Sequence, residues 1–290
     1  MRNHRKHWTR LRIAAVVMCF GLSVGAADYF AATSTRQEQT GSGHLTPLQL
    51  EIEKQRLRLS SAEIEERREA LARLGSMHQP QASRAALSAL RDPAPVVRAS
   101  AAVAVLSLPA EESAASLISL LTDKDEFVRQ QGAYALGQTR SRTAVADLIA
   151  RLADKKDSVR GAAAVALGQI ADAQAVSSLA AVLNQKPPAT SGKKSRKSKS
   201  ERNPFVLRAA AHSLGQIGSR AALPALMGVL QDEKAEDDVR REAAIALGEI
   251  GDASAVPVLR GVLTARDPYL SQAAQEAIRK ISRSQITGGI

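Results

Sequence analysis

Residues 159–170 read VRGAAAVALGQI, and residues 239–250 repeat the pattern as VRREAAIALGEI. The Leu-Gly pair inside this unit recurs along the chain, and its glycine serves as a mark for each unit. Counted from Gly75, the successive steps are 31, 31, 31, 47 and 33 residues, and the step of 47 is one period of 31 plus 16 inserted residues. The marks are Gly75, Leu106 (where leucine replaces the glycine), Gly137, Gly168, Gly215 and Gly248. Self-similarity at a fixed period of this length predicts a tandem-repeat architecture.

Each unit predicts a pair of helices. In one unit, VRQQGAYALGQT (128–139) and TAVADLIARL (143–152) both carry apolar residues at helical spacing. Gly218 and Gly251 fall where the first helix of a unit should end. No segment shows the strict alternation of an exposed strand. We therefore predict an all-α fold, a right-handed α-solenoid of about six helix pairs in which each pair buries its face on the next.

The remaining boundaries follow from composition and capping signals. Ser60 and Glu63 have capping-box spacing, which predicts that the first repeat helix covers Ser61–Leu74. Residues 28–47 are rich in Thr, Ser, Gly and Gln, which favours a flexible tether. The predicted parts are a secretory signal at 1–27, a flexible tether and leading segment at 28–60, a repeat solenoid at 61–282 interrupted by a basic disordered insertion at 186–203, and a short tail at 283–290.

The unit V-R-x-x-A-A-x-A-L-G-x-I resembles the HEAT-like repeat of the phycobilisome-lyase type, and the resemblance covers roughly residues 61–282. It implies an armadillo-like solenoid. It does not imply one function, because proteins with this repeat include chromophore lyase subunits, deoxyhypusine hydroxylase and many interaction scaffolds.

Resemblance to the hydroxylase would imply two irons held by His-Glu pairs near the start of the first helices. Glu242 is the one potential ligand at the matching positions, and the sequence contains no His-Glu dipeptide. These positions are Ala99-Ser100, Gln130-Gln131, Gly161-Ala162, Arg208-Ala209 and Arg241-Glu242. His212 is the only histidine inside a repeat, and we interpret it as a helix-packing residue because one imidazole makes no metal site. We predict no metal site and no cofactor.

Other catalytic chemistry is also poorly represented. The single cysteine, Cys19, lies in the predicted signal, so the mature chain would carry no thiol nucleophile. Carboxylate pairs such as Glu111-Glu112 and Asp237-Asp238 fall at predicted helix starts, where they favourably meet the positive end of the helix dipole. We predict that the protein is not an enzyme and has no catalytic residues. An enzyme or lyase subunit related to the chromophore lyases or the hydroxylase is the alternative.

The formal net charge of +11 comes from two short segments. Residues 1–27 contribute +5 and residues 186–202 contribute +6, which leaves zero for the rest of the chain. In the first segment a basic stretch precedes the apolar run Ile13–Ala27, which ends in small residues as a secretory signal does. We expect cleavage after Ala26 or Ala27 and export to the bacterial periplasm or cell envelope. An uncleaved signal that anchors the chain in the inner membrane stays open as an alternative.

The basic insertion contains the sequence KKSRKSKSER (193–202) between prolines, without an apolar run. Its candidate residues for binding a partner or an anion are Lys193, Lys194, Arg196, Lys197, Lys199 and Arg202. They would suit an acidic partner protein, an anionic membrane surface or an acidic polymer. Nucleic acid is the least favoured partner, because no aromatic residues for base stacking are interleaved. The alternative is that the insertion is a solvated loop without a binding role, because loops accept insertions at little cost in free energy.

These observations predict an exported, non-catalytic scaffold that mediates protein–protein interaction through its solenoid and has another protein as its partner. One candidate surface is formed by small residues of the second helices, which would let a partner's backbone approach closely. Its residues are Ser116, Ser119, Asp147, Ala150, Ser178, Ala181, Ala225 and Gly228.

Overall fold

The computed structural model describes residues 45–184 and 203–287. All the helices below lie in the unit Pro47–Ile290. The predicted signal at 1–27 and the six basic candidates of the insertion, Lys193, Lys194, Arg196, Lys197, Lys199 and Arg202, lie outside the described residues.

The described residues form fourteen α-helices and no strand. In chain order the helices are α1 (Pro47–Arg58), α2 (Ile64–Ser76), α3 (Pro80–Ala86), α4 (Pro95–Ala104), α5 (Ala110–Leu117), α6 (Glu126–Thr139), α7 (Val145–Arg151), α8 (Asp157–Ile170), α9 (Val176–Asn184), α10 (Pro204–Ile217), α11 (Leu223–Gln231), α12 (Asp237–Ile250), α13 (Val256–Gly261) and α14 (Pro268–Thr287). Short 3-10 turns extend or precede the second helix of every pair.

Six helix pairs run from α2–α3 to α12–α13, with α1 before them and α14 after them. We call the even-numbered helices α2 to α14 the first helices, and α3 to α13 the second helices. From α2 to α12 each first helix packs on the first helix of the next unit, and from α4 to α14 each packs on the second helix of the preceding unit. The all-α repeat fold of about six helix pairs is therefore confirmed.

The core is built from small and aliphatic side chains. The largest fully buried residues are all leucines, and alanines fill most of the remaining positions. The glycine of the repeat mark is one reason for these small side chains, because neighbouring first helices approach each other closely at this position. A Cβ atom on Gly248 would lie 2.7 Å from the Cα atom of Ala277, and one on Gly215 would lie 2.9 Å from that of Ala246. A glycine on one first helix therefore receives the backbone of the next first helix at close range.

A second repeated contact joins the units through buried ion pairs. Arg98 donates to both carboxylate oxygens of Asp123, at 2.7 Å each, and its Nη1 donates to the backbone carbonyl of Asp92 at 2.8 Å. Arg67 and Asp92, and Arg129 and Asp154, repeat the pairing at 2.8 to 3.0 Å. Each aspartate lies between two units: its carboxylate binds the arginine of the first helix before it, and its carbonyl binds the arginine six residues later, on the next first helix.

Two of these pairs hold Asp123 and Asp154 in the charged form. Burial by itself would raise the pKa of Asp154, but hydrogen bonds from Arg129 and from the backbone N–H of Lys156 lower this pKa below its ordinary value. The pKa of Asp123 is lowered in the same way, against the effect of burial, by Arg98 and the N–H of Asp125. Removing an arginine would leave a buried carboxylate without its countercharge.

The predicted helix ends are partly confirmed. Gly218 and Gly251 end α10 and α12 in the left-handed conformation, with φ of 72° and 75°. Arg140 and Ala171 take the same conformation after α6 and α8, with φ of 53° and 57°. A side chain in this region costs free energy that glycine avoids.

Two predicted helix boundaries differ from the structure. The first repeat helix begins at Ile64 rather than Ser61, because Ser61 instead accepts the backbone N–H of Glu63 through its hydroxyl, and no side chain caps the helix. Within the region predicted as tether and leading segment, α1 begins at Pro47, where the predicted tether of residues 28–47 ends, and it packs on α2 and α3. The tail predicted at 283–290 begins inside α14, which continues to Thr287 because no helix breaker precedes Gly288-Gly289.

Candidate functional site

One side of the first helices combines exposed side chains with small buried residues, among them Ala99 and Ala162. It is formed by five register positions: ten, seven, six and three residues before the mark, and one residue after it. Residues at these spacings share one side of an α-helix. In the three central units they are Val96, Ala99, Ser100, Val103 and Ser107; Phe127, Gln130, Gln131, Tyr134 and Gln138; and Ser158, Gly161, Ala162, Val165 and Gln169. We call this surface the first-helix face.

Exposed apolar side chains are concentrated on the first helices. Among the described residues, eleven large apolar side chains are exposed, and none of them lies on a second helix. Six occupy the first-helix face: Val96, Val103, Phe127, Phe205, Ile245 and Tyr269. The others are Leu45, Leu48, Leu50 and Leu57, in and before α1, and Ile64 at the start of α2. Grouped apolar exposure of this kind is typical of an interaction surface.

The distribution of aromatic residues is still more uneven. The described residues contain four Phe and Tyr side chains and no Trp, and all four lie on the first-helix face. Phe127, Phe205 and Tyr269 are 47%, 42% and 66% exposed, while Tyr134 packs partly against the core. The ring of Phe205 lies over Gly161 of the preceding first helix, in the space that a Cβ atom there would occupy. The aromatic residues therefore contribute to the surface while aliphatic residues fill the core.

The central part of this face is uncharged and rich in glutamine. None of the fifteen residues at the face positions of the α4, α6 and α8 units is ionisable, apart from the Tyr134 hydroxyl. Gln130, Gln131 and Gln138 make no side-chain hydrogen bond within the described residues, and neither do Gln169 and Gln216. Each of these amides offers two donors and an acceptor. The face can therefore bind polar groups as well as apolar ones.

Charge returns toward the carboxyl-terminal end of the face. Arg208 of α10 pairs with Asp238 of α12 at 3.0 Å. The Arg241 guanidinium lies 3.2 Å from Asp267 and 5.7 Å from the ring centre of Tyr269, so an ion pair and a cation–π contact share one cation. Arg208 and Arg241 are thus each paired with an aspartate.

A groove opens on the same face between α2 and α4. Its volume is about 760 Å³, and its apolar lining includes Leu71, Ala72, Val103 and Leu106. It exists because α4 ends at Ala104, two residues before the mark, whereas α6, α8, α10 and α12 all continue two residues beyond theirs. Glu65, Arg68, Glu69 and Gln138 also line it.

The structure brings together two residues that were singled out separately in the sequence. The Nδ1 atom of His212 on α10 lies 2.8 Å from Oε1 of Glu242 on α12, so these side chains link neighbouring first helices. The His212 side chain is 45% exposed, so it packs at the surface and not in the core. Across residues 45–184 and 203–287, no group of three or more His, Cys, Asp or Glu residues is placed to hold a metal ion.

The surface of small residues on the second helices is less uniform than the sequence suggests. Ser119, Asp147, Ala150 and Ala181 are exposed, but Ala225 is buried with 4% of its surface accessible. The sequence reasoning missed the first-helix face. A signal for it was present, because Phe127, Phe205 and Tyr269 all stand ten residues before a mark position or its continuation. In the portion of the chain with described coordinates, no helix is long and apolar enough to cross a membrane.

The chain belongs to the HEAT-repeat family. The family model for HEAT repeats matches residues 53–137, 114–190 and 198–282, which together cover most of the chain. The HEAT-like resemblance of the repeat unit is therefore confirmed, and HEAT repeats are typical of solenoids that mediate protein–protein interaction. No curated protein matches the chain.

The chain is similar to solved structures of several different proteins. Human deoxyhypusine hydroxylase is 16% identical, with 81% of this chain and 96% of that chain covered and a TM-score of 0.39. The complex of CpcE and CpcF of phycocyanin lyase from a Nostoc species is 22% identical, with 84% and 97% covered and a TM-score of 0.47. An engineered protein is 23% identical, with 80% and 68% covered and a TM-score of 0.48. At these identities and TM-scores the similarities carry no functional argument.

Proposed function

We propose that this protein is an exported, non-catalytic scaffold that docks another protein on its first-helix face. The observation that carries the proposal is the placement of all four described aromatic residues on this face, together with an absence of large exposed apolar side chains from the described second helices. Aromatic residues are enriched at the energetic centres of protein interfaces. A solenoid of this length offers such a surface over many helices.

The test is crosslinking of partners in intact cells followed by purification. A variant that combines Phe127→Ala, Tyr134→Ala and Phe205→Ala should lose most of the partner recovered with the native chain. The matched control combines Leu50→Ala and Leu57→Ala, which removes exposed apolar side chains away from the face, and it should retain the partner. Equal recovery with both variants would contradict docking on the first-helix face.

The basic insertion is proposed to add electrostatic attraction to an acidic partner or an anionic surface. The support is its sequence charge of +6 over residues 186–202 in a chain that is otherwise neutral outside its amino-terminal segment. A chain lacking residues 187–203 should bind the recovered partner more weakly at low salt and with less dependence on salt. Binding that is unchanged by the deletion at every salt concentration would make the insertion a bystander.

Export is proposed from the pattern of residues 1–27. Mass spectrometry of the chain isolated from a cell-envelope fraction should find an amino terminus at Ala27 or Asp28. A chain that retains Met1 in the membrane fraction would support the anchored alternative, and one in the cytosolic fraction would contradict export.

The absence of catalysis is tested by metal analysis and absorption spectra of the purified protein, because stoichiometric iron or a visible band would contradict it.

A further inference from the structure

The groove between α2 and α4 has features of an anchor site on the first-helix face. It is open along the face, and Gln138 at its edge belongs to the next first helix, α6. Its apolar lining, which includes Leu71, Ala72 and Val103, offers a place for bulky apolar groups to leave water. A volume of about 760 Å³ has room for more than one such side chain.

The ions around the groove are compensated within the protein. Arg68 donates to both carboxylate oxygens of Glu65, at 2.8 and 2.9 Å. Glu69 accepts from Arg58 of α1 at 2.7 Å. A charged ligand would therefore have to compete with an existing ion pair at either acid. The groove electrostatically favours an uncharged occupant.

The surface beyond the groove fits the same kind of occupant. The face of α6 and α8 carries aromatic and glutamine side chains without an ion, and its amides have unused hydrogen-bonding capacity. An extended polypeptide presents a peptide donor and acceptor at every residue, which such amides can satisfy. A compact ligand would fill the groove and reach Gln138 but not the glutamines beyond it.

We infer that the first-helix face binds an extended, uncharged polypeptide segment that places a bulky apolar side chain in the α2–α4 groove and crosses the glutamines of α6 and α8. This inference rests on the proposed function, because it specifies the chemistry of the protein that docks there. Charge complementarity favours an uncharged polypeptide over other occupants. A nucleic acid or an anionic membrane surface would need unpaired cations, and the described central face has none.

The test uses a phage-displayed library of random dodecapeptides selected on the full chain. Recovered sequences are then made as acetylated, amidated, dye-labelled peptides and their binding is measured by fluorescence anisotropy. We expect sequences without net charge that contain a bulky apolar residue, and affinities that change less than about twofold between low and high salt. Failure to recover peptides, or recovery of charged peptides whose binding falls steeply with salt, would overturn the inference.

Groove occupancy is tested by Ala72→Trp, which fills the groove from an exposed helix position. It should weaken binding of the selected peptide at least tenfold, whereas Ala181→Trp on the exposed surface of α9 should change it less than twofold. Circular dichroism of both variants checks that the helices are retained. If Ala72→Trp has no effect while the triple aromatic variant still loses its partner, the inference fails and the proposed function stands. If the peptide result holds but the triple variant keeps its partner, the proposed function fails.

Discussion

Replacing Gly248 by alanine tests whether close packing of the first helices depends on the glycine of the repeat mark. The new Cβ atom would lie 2.7 Å from Cα and 2.8 Å from Cβ of Ala277, whereas ordinary contacts begin at 3.4 Å. Helices α12 and α14 would therefore have to separate by several tenths of an ångström. Overpacking of this kind costs about 1–3 kcal/mol, and the better helix propensity of alanine offsets about 1 kcal/mol of it. We expect a net loss of about 1 kcal/mol in the free energy of unfolding.

Gly228→Ala is the matched control. Gly228 lies inside the helix α11, and a Cβ atom there would meet nothing within 4 Å. The same substitution should therefore stabilise the protein by about 0.5–1 kcal/mol through helix propensity alone. Thermal unfolding followed by circular dichroism should show a midpoint about 2–4 °C below the native value for Gly248→Ala and a slight rise for Gly228→Ala. A Gly248→Ala midpoint at or above that of the control would refute the packing argument.

Three further predictions concern the ion pairs and the helix ends. Arg129→Ala should cost about 3 kcal/mol in urea unfolding because Asp154 would lose its hydrogen-bonded countercharge and keep only Arg151, 4.0 Å away, and a loss below about 1 kcal/mol would contradict this account. The lowered pKa of Asp154 means that its charged form stabilises the fold fully above its ordinary pKa of about 4 and progressively less as the pH falls through the folded-state pKa. The difference in free energy of unfolding between the native chain and Asp154→Asn should therefore shrink below pH 4. A difference that grows as the pH falls would contradict a lowered pKa for Asp154. Ala171→Gly should stabilise the protein by about 0.5–1 kcal/mol because Ala171 has a φ of 57°, whereas Ala150→Gly, in the helix α7 and without a positive φ, should destabilise it.

The repeat and its helix pairs could be predicted from the sequence because period and packing are coupled. Where a glycine occupies the mark, it allows a close contact with the next first helix, and Gly215 and Gly248 receive equivalent alanines of that helix. Arg98 and Asp123 were visible as recurring residue types. Their pairing was not, because they are 25 residues apart and meet only when consecutive units stack.

The candidate site was harder to predict because its residues are not a motif. Phe127 and Phe205 read as ordinary apolar residues of amphipathic helices, and only the fold shows that alanines and leucines already fill the core. The groove arises from the early end of α4, which precedes Pro109 at the start of the next helix. Small differences in helix length of this kind leave little trace in the repeat pattern.

The central claim is that the first-helix face contacts the partner. Its most direct test places a photo-crosslinking amino acid at Gln138, on this face, or at Ala150, on the exposed surface of the second helix α7, and compares the adducts formed in intact cells. The account predicts a discrete protein adduct from position 138 and none from position 150. An adduct from position 150 alone would place the partner on the second helices and contradict the account.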